Sequence, residues 1–377
     1  MTQKSSAEMD QRFMRRALEL AARGQGSVEP NPMVGCVIVR AGQIVGEDYH
    51  QRYGGPHAEI EALRAAGEAA KGSTLYVTLE PCCHFGKTPP CSQAVIAAGV
   101  SRVVAAMRDP FPQVSGQGVA ELQAAGVQIE LGLLEQEARE LNAPYLMLVG
   151  NRRPWIIAKW AMTLDGKIAT RTGRSKWISG PESREVVQQL RSRVDAVLIG
   201  RRTAELDDPL LTARLATGQK PARVATRIVL DSQASLSLHS QLVKTAREVP
   251  LLVVTSEQAE ATKVAALQAA GAEVLSIAAS SAAERLRELF KELGKRRLTN
   301  VLCEGGGQLL GSLFDDQLVD EVHCFIAPKI FGSAQAAGPV AGQGIELPDL
   351  AADLDAPVWQ QMGSDLYVRG QLRKRAE

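Results

Sequence analysis

Two short segments decide how the first half of the chain folds: GGPHAE at residues 54–59 and EPCCHFGKTPPC at residues 80–91. Together they supply two imidazoles, two carboxylates and three thiols. A structural zinc is normally closed by four protein ligands, whereas a catalytic zinc keeps three and leaves the fourth position to water. His57, Cys82 and Cys91 make such a set of three. The two segments therefore predict a catalytic zinc site.

Both segments contain prolines at the point where a helix is expected to begin. Pro56 suits the first position of a helix, which places His57 and Glu59 in its first turn. The pair at 89–90 does the same for a helix that follows Cys91. Free amides and the dipole at a helix N-terminus favour thiolate and hydroxide. We therefore expect two helix ends to face one metal ion.

The order of these residues is close to a known signature. Zinc deaminases carry His-x-Glu followed by Pro-Cys-x-x-Cys, in which the Glu moves protons and is not a ligand. Here eight residues, not two, separate Cys82 from Cys91. The intervening segment resembles that of the pyrimidine deaminases of riboflavin biosynthesis. Cys83, which is adjacent to Cys82, is a second candidate for this ligand. We favour Cys82 because it follows Pro81 directly, as in the signature. Cysteines can also be ordinary buried hydrophobic residues that bind no metal.

Length and composition limit the classes of protein to which this chain can belong. A chain of 377 residues exceeds the usual size of one core, and its 45% of hydrophobic residues is enough for two domains. No apolar run approaches the ~20 residues that span a bilayer, and the first residues lack the apolar core of a signal peptide. Unpaired cysteines beside a thiolate zinc site fit a reducing compartment. We expect a soluble, cytoplasmic protein without a membrane partner.

The charge balance argues against a nucleic-acid partner. Residues 1–150 carry 13 Lys and Arg against 16 Asp and Glu, and residues 151–377 carry 30 against 26. Neither half is a basic nucleic-acid platform. The small positive excess of the second half suits phosphorylated ligands, and a solvated charged surface explains it equally well. The sequence leaves open whether copies of the chain form a homo-oligomer.

Hydrophobic patterning predicts alternating helices and strands, an α/β fold, in both halves. A first helix over 10–23 and five strands make a three-layer domain. A boundary between 142 and 154 separates a first domain, 1–150, from a second, 151–377. The strands of the first domain are predicted at 34–39, 43–46, 74–79, 102–106 and 127–131. Those of the second are predicted at 155–161, 196–199, 227–230, 250–254, 300–303 and 322–326, with a helix at 282–293 and helix also in the Ala-rich tract at 259–283.

The second half contains a glycine-rich turn, NVLCEGGG at residues 300–307, that runs from a strand into a helix. Glycines at a helix N-terminus let phosphate oxygens approach bare amides. The spacing is not Gly-x-Gly-x-x-Gly, so it is no Rossmann fingerprint, and alone it reads as a plain turn. Its order relative to Lys159, Gly200, Thr203 and the Ala327-Pro328-Lys329 segment resembles the reductases of riboflavin biosynthesis.

These two resemblances cover nearly the whole chain, which is similar to the bifunctional deaminase-reductases of riboflavin biosynthesis. The resemblance implies a cytidine-deaminase-like first domain with Zn²⁺ and a dihydrofolate-reductase-like second domain with NADPH. It implies that a zinc-activated water deaminates 2,5-diamino-6-ribosylamino-4(3H)-pyrimidinone 5′-phosphate. NADPH would then reduce the ribosyl group of the product to ribityl. Small phosphoribosyl pyrimidines are the expected ligands.

The resemblance also implies roles for individual residues. Zinc falls on His57, Cys82 and Cys91, with Glu59 as the proton shuttle. The deaminase substrate would be held near Asn31, His50, His84 and Lys87. NADPH contacts fall on Ala161, Trp177, Thr203, Asp207, Ser232, Gly306, Gly307, Gln308, Leu309, Leu310, Gly311 and Ser312. Reductase substrate contacts fall on Lys159, Ser175, Arg191, Leu211, Arg214 and Glu304.

Simpler interpretations stand beside several of these roles. Asn31 lies between prolines, where Asn is a common turn residue, and a lone His50 is often only a surface residue. Ala161 and Leu211 cannot be told from core residues, and Lys159 and Glu304 suit structural pairing equally well. Two other functions also compete. A nucleic-acid base editor shares the His-x-Glu site but suits the acidic first half poorly, and a non-catalytic binding protein would not need the complete zinc and proton-shuttle set.

Overall fold

The computed structural model describes residues 3–85, 89–112, 114–216, 218 and 220–373. The chain divides into two compact units, Met1–Arg152 and Arg153–Glu377. Within the described residues, no helix combines the length and the apolar character needed to cross a membrane.

The first unit alternates helices and strands. Its strands are β1 (Gly35–Arg40), β2 (Gln43–Tyr49), β3 (Thr74–Val77), β4 (Arg102–Ala105) and β5 (Gln128–Leu131). Its helices are α1 (Gln3–Ala22), α2 (Ala58–Ala66), α3 (Cys91–Ala97), α4 (Gln117–Ala124), α5 (Glu135–Leu141) and α6 (Ala143–Asn151). The described strands form one sheet in the order β2-β1-β3-β4-β5. β1 is antiparallel to β2 and β3, and the pairs β3/β4 and β4/β5 are parallel.

Two glycines show that helices cover both faces of this sheet. A Cβ on Gly35 would lie 2.0 Å from the Ala17 carbonyl oxygen of α1, and one on Gly46 would lie 2.4 Å from that of Ala62 in α2. Gly46 pairs with Ile38, three positions from Gly35, so the two glycines face opposite sides of the pleat. α1 and α2 therefore pack on opposite faces, which gives the three layers that the sequence predicts.

The second unit is built on a larger sheet. Its strands are β6 (Trp155–Thr163), β7 (Ala196–Gly200), β8 (Thr226–Leu230), β9 (Leu251–Thr255), β10 (Glu273–Ser276), β11 (Asn300–Glu304), β12 (Glu321–Ala327), β13 (Leu354–Met362) and β14 (Asp365–Leu372). Its helices are α7 (Pro181–Arg191), α8 (Arg201–Asp207), α9 (Gln241–Lys244), α10 (Ala261–Ala269), α11 (Ala282–Lys295) and α12 (Gly307–Asp315).

The strand order of this sheet is β10-β9-β8-β7-β11-β6-β12-β14-β13. Neighbours from β10 to β12 are parallel, and β14 is antiparallel to both β12 and β13. β11 comes late in the sequence yet lies between β6 and β7, and its register sets Glu304 opposite Lys159. In open sheets of this kind, ligands bind beyond the carboxyl ends of the strands where the strand order reverses.

Some predicted elements differ from the observed ones. The first helix begins at Gln3, seven residues before its predicted start. Residues 143–151, interpreted as part of a boundary, form helix α6. The Ala-rich tract is not one helix, because α10 ends before Gly271, whose φ of 103° breaks the helix, and β10 follows. β13 and β14 were not predicted, since β13 is exposed along most of its length and lacks a buried alternation.

Candidate active sites

The structure brings the three predicted zinc ligands together in the first unit. The Nδ1 atom of His57 lies 3.2 Å from the Sγ atom of Cys91 and 3.5 Å from that of Cys82. The ligand atoms of the three residues all lie within 4.8 Å of one another. A tetrahedral zinc with Zn–S of ~2.3 Å and Zn–N of ~2.0 Å holds its ligand atoms about 3.5 Å apart. The donor set and its spacing therefore fit zinc.

Three different elements deliver these ligands. His57 is the extended residue that immediately precedes α2, one position before the first helical turn in which it was predicted. Cys91 is the first residue of α3, and its backbone amide donates to the Cys82 sulfur at 3.4 Å. The Ser92 amide also donates to the Cys82 carbonyl at 3.1 Å. The two ends of the long insertion are thereby held together, so eight intervening residues still bring both sulfurs to one point.

Charge distinguishes the two adjacent cysteines. Hydrogen bonds with Cys91 and then with His57 lower the pKa of the Cys82 thiol to about 4, which favours the thiolate form that binds metals. Cys83 directs its sulfur toward the side-chain oxygen of Gln117, 3.9 Å away, and burial raises its pKa. Cys83 therefore lies outside the ligand group.

Glu59 lies in the first turn of α2 and is 3% exposed. Burial raises the pKa of its carboxyl group, against the opposing charge of His57. An acid with a raised pKa takes up and releases protons closer to neutral pH than an exposed glutamate does. The environment of Glu59 therefore suits a proton carrier.

Asn31 and His50 lie beside the ligand group. The Asn31 side-chain nitrogen is 3.3 Å from Nε2 of His50, and Nδ1 of His50 donates to the Pro56 carbonyl at 2.9 Å. The His50 ring meets the His57 ring edge-on, with centroids 5.5 Å apart. Burial lowers the pKa of His50, so the ring is neutral at neutral pH.

The other two predicted substrate contacts belong to the insertion. His84 lies against Phe111, with ring centroids 6.1 Å apart. Its Nδ1 atom is buried and has no hydrogen-bond partner in the described part of the chain. Lys87 lies outside the described residues.

One functional residue of this site was missed by the sequence analysis. Glu80 is 3% exposed, and its carboxylate accepts backbone hydrogen bonds from Asp109 at 3.3 Å, Gly116 at 3.0 Å and Val119 at 3.1 Å. It fastens the segment that carries Cys82 to the start of α4. The available signal was a carboxylate two positions before a proposed ligand in an otherwise apolar strand end.

The second unit contains a cavity of about 1610 Å³ at the carboxyl ends of its parallel strands. Pockets for one small ligand usually measure ~300–1,000 Å³, so this one has room for two. Every residue predicted to contact NADPH or the reductase substrate lines it, with the exception of Gly311. A Cβ on Gly311 would lie 1.5 Å from the Ala341 carbonyl oxygen. The structure thus gives this glycine a packing role against Ala341, and its contact with the cofactor stays a prediction.

Three charged residues meet at one end of the cavity. Arg191 binds the Glu304 carboxylate through two nitrogens, at 2.5 and 2.8 Å, and the Lys159 ammonium lies 3.8 Å from the same carboxylate. Burial lowers the pKa of Lys159. Burial also works to raise the pKa of Glu304, but Arg191 and Lys159 hold it below its usual value. The structural pairing considered for Lys159 and Glu304 is therefore real, and both still face the cavity.

The loop that contains Ser175 and Trp177 also lines the cavity. The Ser175 hydroxyl donates to the Asp207 carboxylate at 2.9 Å. The Lys329 ammonium donates to the carbonyls of Trp177 at 2.8 Å and Ile178 at 2.7 Å. The Trp177 ring remains 66% exposed on the cavity wall. Lys329 therefore holds this loop in place.

The glycine-rich turn begins helix α12 at the same cavity. Gly306 has a φ of 35°, and a Cβ there would lie 3.2 Å from the Thr203 hydroxyl oxygen. A Cβ on Gly307 would lie 2.6 Å from the Gly338 carbonyl oxygen. The first amides of a helix have no partner within the helix. Bare backbone at this position could approach a phosphate group closely.

Two family models match the chain. Residues 154–368 match the RibD C-terminal domain, and residues 7–107 match the cytidine and deoxycytidylate deaminase zinc-binding region. The riboflavin biosynthesis protein RibD of Actinobacillus pleuropneumoniae is 41% identical over 365 residues, which cover 97% of this chain and 95% of that protein. RibD of Escherichia coli K12 is 42% identical over 346 residues, 89% of this chain and 92% of that protein.

Solved structures agree with these matches. Acinetobacter baumannii RibD, form 1, superposes with a TM-score of 0.86 at 34% identity, covering 98% of this chain and 100% of that one. A Thermotoga maritima diaminohydroxyphosphoribosylaminopyrimidine deaminase/5-amino-6-(5-phosphoribosylamino)uracil reductase superposes with a TM-score of 0.82 at 34% identity, with the same coverage. The predicted fold class, a cytidine-deaminase-like half followed by a dihydrofolate-reductase-like half, is confirmed.

Proposed function

The chain belongs to the RibD family of bifunctional riboflavin biosynthesis enzymes, and we propose that it carries out a deamination and then a reduction on one phosphoribosyl pyrimidine. The deamination belongs to residues 1–150 and removes the amine of 2,5-diamino-6-ribosylamino-4(3H)-pyrimidinone 5′-phosphate. The reduction belongs to residues 151–377 and converts the ribosyl group of the product to ribityl. The observation that carries the proposal is the group of His57, Cys82 and Cys91 beside a buried Glu59.

In the deaminase site, His57, Cys82 and Cys91 would hold the zinc ion. Zinc supplies a Lewis acid that makes water nucleophilic near neutral pH. Glu59 would accept one proton from the attacking water and give it to the ring nitrogen, and would then carry the second proton, from the new hydroxyl group, to the departing amine. Its raised pKa suits both transfers.

The neighbouring polar residues would bind the pyrimidine. His50 is neutral, and its Nδ1 proton is engaged by the Pro56 carbonyl, so Nε2 is the acceptor and Asn31 the donor of their contact. Both groups can turn toward the exocyclic amines and carbonyl of the ring. Nδ1 of His84, which has no hydrogen-bond partner among the described residues, offers another polar contact.

In the reductase site, NADPH supplies the hydride that reduces C1′ of the sugar. Arg191 and Arg214 provide fixed positive charge for the sugar phosphate. Lys159 has an ammonium group whose pKa burial lowers, so it can give its proton to the ring oxygen as the sugar opens. Glu304 holds Lys159 and Arg191 in register.

The test is an incubation of the purified protein with the diaminopyrimidine substrate, with and without NADPH. We expect ammonia release in both samples and oxidation of NADPH only after ammonia release. A tRNA substrate should release none. Absence of both reactions would contradict the proposal, and ammonia without NADPH oxidation would contradict its second half.

The choice of zinc ligands is tested with three cysteine-to-serine variants. Cys82→Ser and Cys91→Ser should lose zinc and deamination, because each removes one of three ligands. Cys83→Ser should keep both, since its sulfur points away toward Gln117. Elemental analysis of the purified proteins measures the zinc. Loss of the metal from the Cys83 variant alone would show that the ligand choice is wrong.

A further inference from the structure

Arg285 lines the reductase cavity and has no ion-pair partner in the described part of the chain. It lies on α11, and its Nε atom is buried without a hydrogen-bond partner among the residues that the structure describes. A buried donor without a partner is costly, and more so when it is charged. An anion bound in the cavity would remove that cost.

Hydrogen bonds at the start of α11 hold the turn that carries Arg285. The Ser281 hydroxyl accepts a hydrogen bond from the Glu284 amide at 3.1 Å, and the Ser280 amide donates to the Glu284 carboxylate at 2.7 Å. Such reciprocal capping holds the first turn in place. The next residue, Leu286, is 2% exposed and anchors the helix in the core.

The helix places Arg285 at one particular end of the cavity. α11 leads from β10 to β11, and a crossover helix runs opposite to its parallel strands, so its first turn lies at their carboxyl edge. The short connection after Ser276 keeps that turn near the side of the sheet formed by β10, β9 and β8. At ~4.8 Å per strand, β8 and β9 lie about 14 and 19 Å from β6, which carries Lys159.

The acids of this cavity are already engaged, which leaves Arg285 free for a ligand. Asp231, 1% exposed, accepts from the Ser235 hydroxyl at 3.0 Å and the Leu236 amide at 2.7 Å. In Rossmann folds an acid binds the ribose 2′-hydroxyl of NAD, whereas an Arg nearby accommodates the 2′-phosphate of NADP, and the same charge argument applies to any fold that binds these cofactors. Here the Asp231 carboxylate accepts its hydrogen bonds from its own loop, and Arg285 has no partner among the described residues.

We propose that Arg285 binds the 2′-phosphate of the adenosine ribose and thereby sets the preference of the reductase for NADPH over NADH. The assignment rests on the proposed function, which puts the nicotinamide beside the sugar at Lys159 and Glu304. An extended dinucleotide then places its adenosine half toward β8 and β9. Gly306 and Gly307 follow β11, which lies between β8 and β6 in the sheet, so the pyrophosphate would pass their backbone amides.

The test is a binding measurement, so it does not depend on turnover. NADPH and NADH are titrated into the full-length protein and followed by nicotinamide fluorescence, for the wild type, Arg285→Gln, Arg285→Lys and the control Arg287→Gln. Arg287 lies on the same helix but is exposed and pairs with Asp316 at 2.9 Å. Competition by 2′,5′-ADP and by 5′-AMP isolates the contribution of the 2′-phosphate.

We expect Arg285→Gln to weaken NADPH about 10- to 100-fold, the usual effect of one charged hydrogen bond, and to leave NADH within about twofold. Arg285→Lys should recover part of the loss, and Arg287→Gln should bind both cofactors like the wild type. Competition by 2′,5′-ADP should weaken in the Arg285→Gln variant while that by 5′-AMP stays unchanged.

An equal loss of NADPH and NADH in Arg285→Gln, or no loss of NADPH, would overturn the assignment. A wild-type protein that does not prefer NADPH would instead overturn the NADPH-dependent function, and the assignment with it. The first failure would be seen in the Arg285→Gln variant and the second in the wild-type protein, so the two can be told apart.

Discussion

Glu59 is a carboxyl group that its surroundings make costly to ionise. Burial raises its pKa above the ordinary value of 4.5. The folded protein therefore binds this proton more tightly than the unfolded chain does. The associated stability is fully present below the unfolded pKa and is lost as pH rises through the folded pKa. A residue that destabilises the fold at neutral pH is expected where its function requires it.

The variant Glu59→Gln tests both the cost of ionising Glu59 and its role as proton carrier. The amide removes the ionisation cost but carries no proton, so we expect the variant to retain zinc, lose deamination and unfold with a free energy no lower than wild type at pH 8. The advantage of the variant should shrink as pH falls to 4.5, the ordinary value. Denaturant unfolding at the two pH values, zinc analysis and an ammonia assay give the three readings. Near-normal ammonia release would sink the role of Glu59 as proton carrier.

At the scale of elements, the sheet of the first unit depends on close helix approach. Gly35 lets α1 lie against β1, and its missing Cβ would overlap the Ala17 carbonyl oxygen at 2.0 Å. Backbone atoms cannot yield as a flexible side chain can. This contact sets the position of the strand end that Asn31 precedes.

Gly35→Ala should lower the free energy of unfolding by ~3 kcal/mol, at the upper end of the cost of overpacking. The matched control is Gly150→Ala in α6, where a Cβ meets nothing within 4 Å. That control should be neutral or gain up to ~1 kcal/mol from helix propensity. Urea unfolding of both variants is the measurement, and equal stabilities would show that the contact is less tight than observed.

The glycine turn before α12 belongs to the same scale. Gly306→Asp would set an anion beside the proposed pyrophosphate position and strain a backbone with a φ of 35°. We expect it to lose NADPH binding by at least ~10-fold through like-charge repulsion. Gly306→Ala carries the strain without the charge and should lose less. If the Asp variant binds NADPH like the wild type, the glycine segment is only a turn.

At the scale of the whole molecule, the two chemistries use separate sets of residues. The ligand group and Glu59 lie in the first compact unit, and the described residues that line the cavity all belong to the second. Each unit also has its own hydrophobic core. A compact unit with its own core can fold without the other.

Full-length variants should therefore separate the two activities. Glu59→Gln should still reduce substrate that has already been deaminated, at a wild-type rate. Gly306→Asp should still release ammonia from the diaminopyrimidine. The measurement is each half-reaction assayed by itself on both proteins. Loss of both reactions in either variant would show that the two sites depend on each other.

Features that depend on short stretches of sequence were predicted correctly. Prolines before His57 and Cys91 mark helix starts, and apolar runs such as residues 35–39 mark buried strands, because local backbone preferences and burial periodicity act over a few residues. The likeness of the motifs to a known family supplied the residue roles. The strands came out within a few residues of their observed bounds, except β13, β14 and the short β10.

Contacts between segments that are distant in sequence could not be predicted and became known from the folded structure. The insertion of β11 between β6 and β7 pairs Glu304 with Lys159, and nothing in the local sequence specifies strand order. Glu80 holds the segment of Cys82 by accepting hydrogen bonds from Asp109, Gly116 and Val119, which are distant in sequence. Arg285 lines the cavity with an Nε atom that has no hydrogen-bond partner among the described residues. A side chain's local sequence sets its helix or strand, but its partners depend on long-range packing, which is settled only when the whole sheet has assembled.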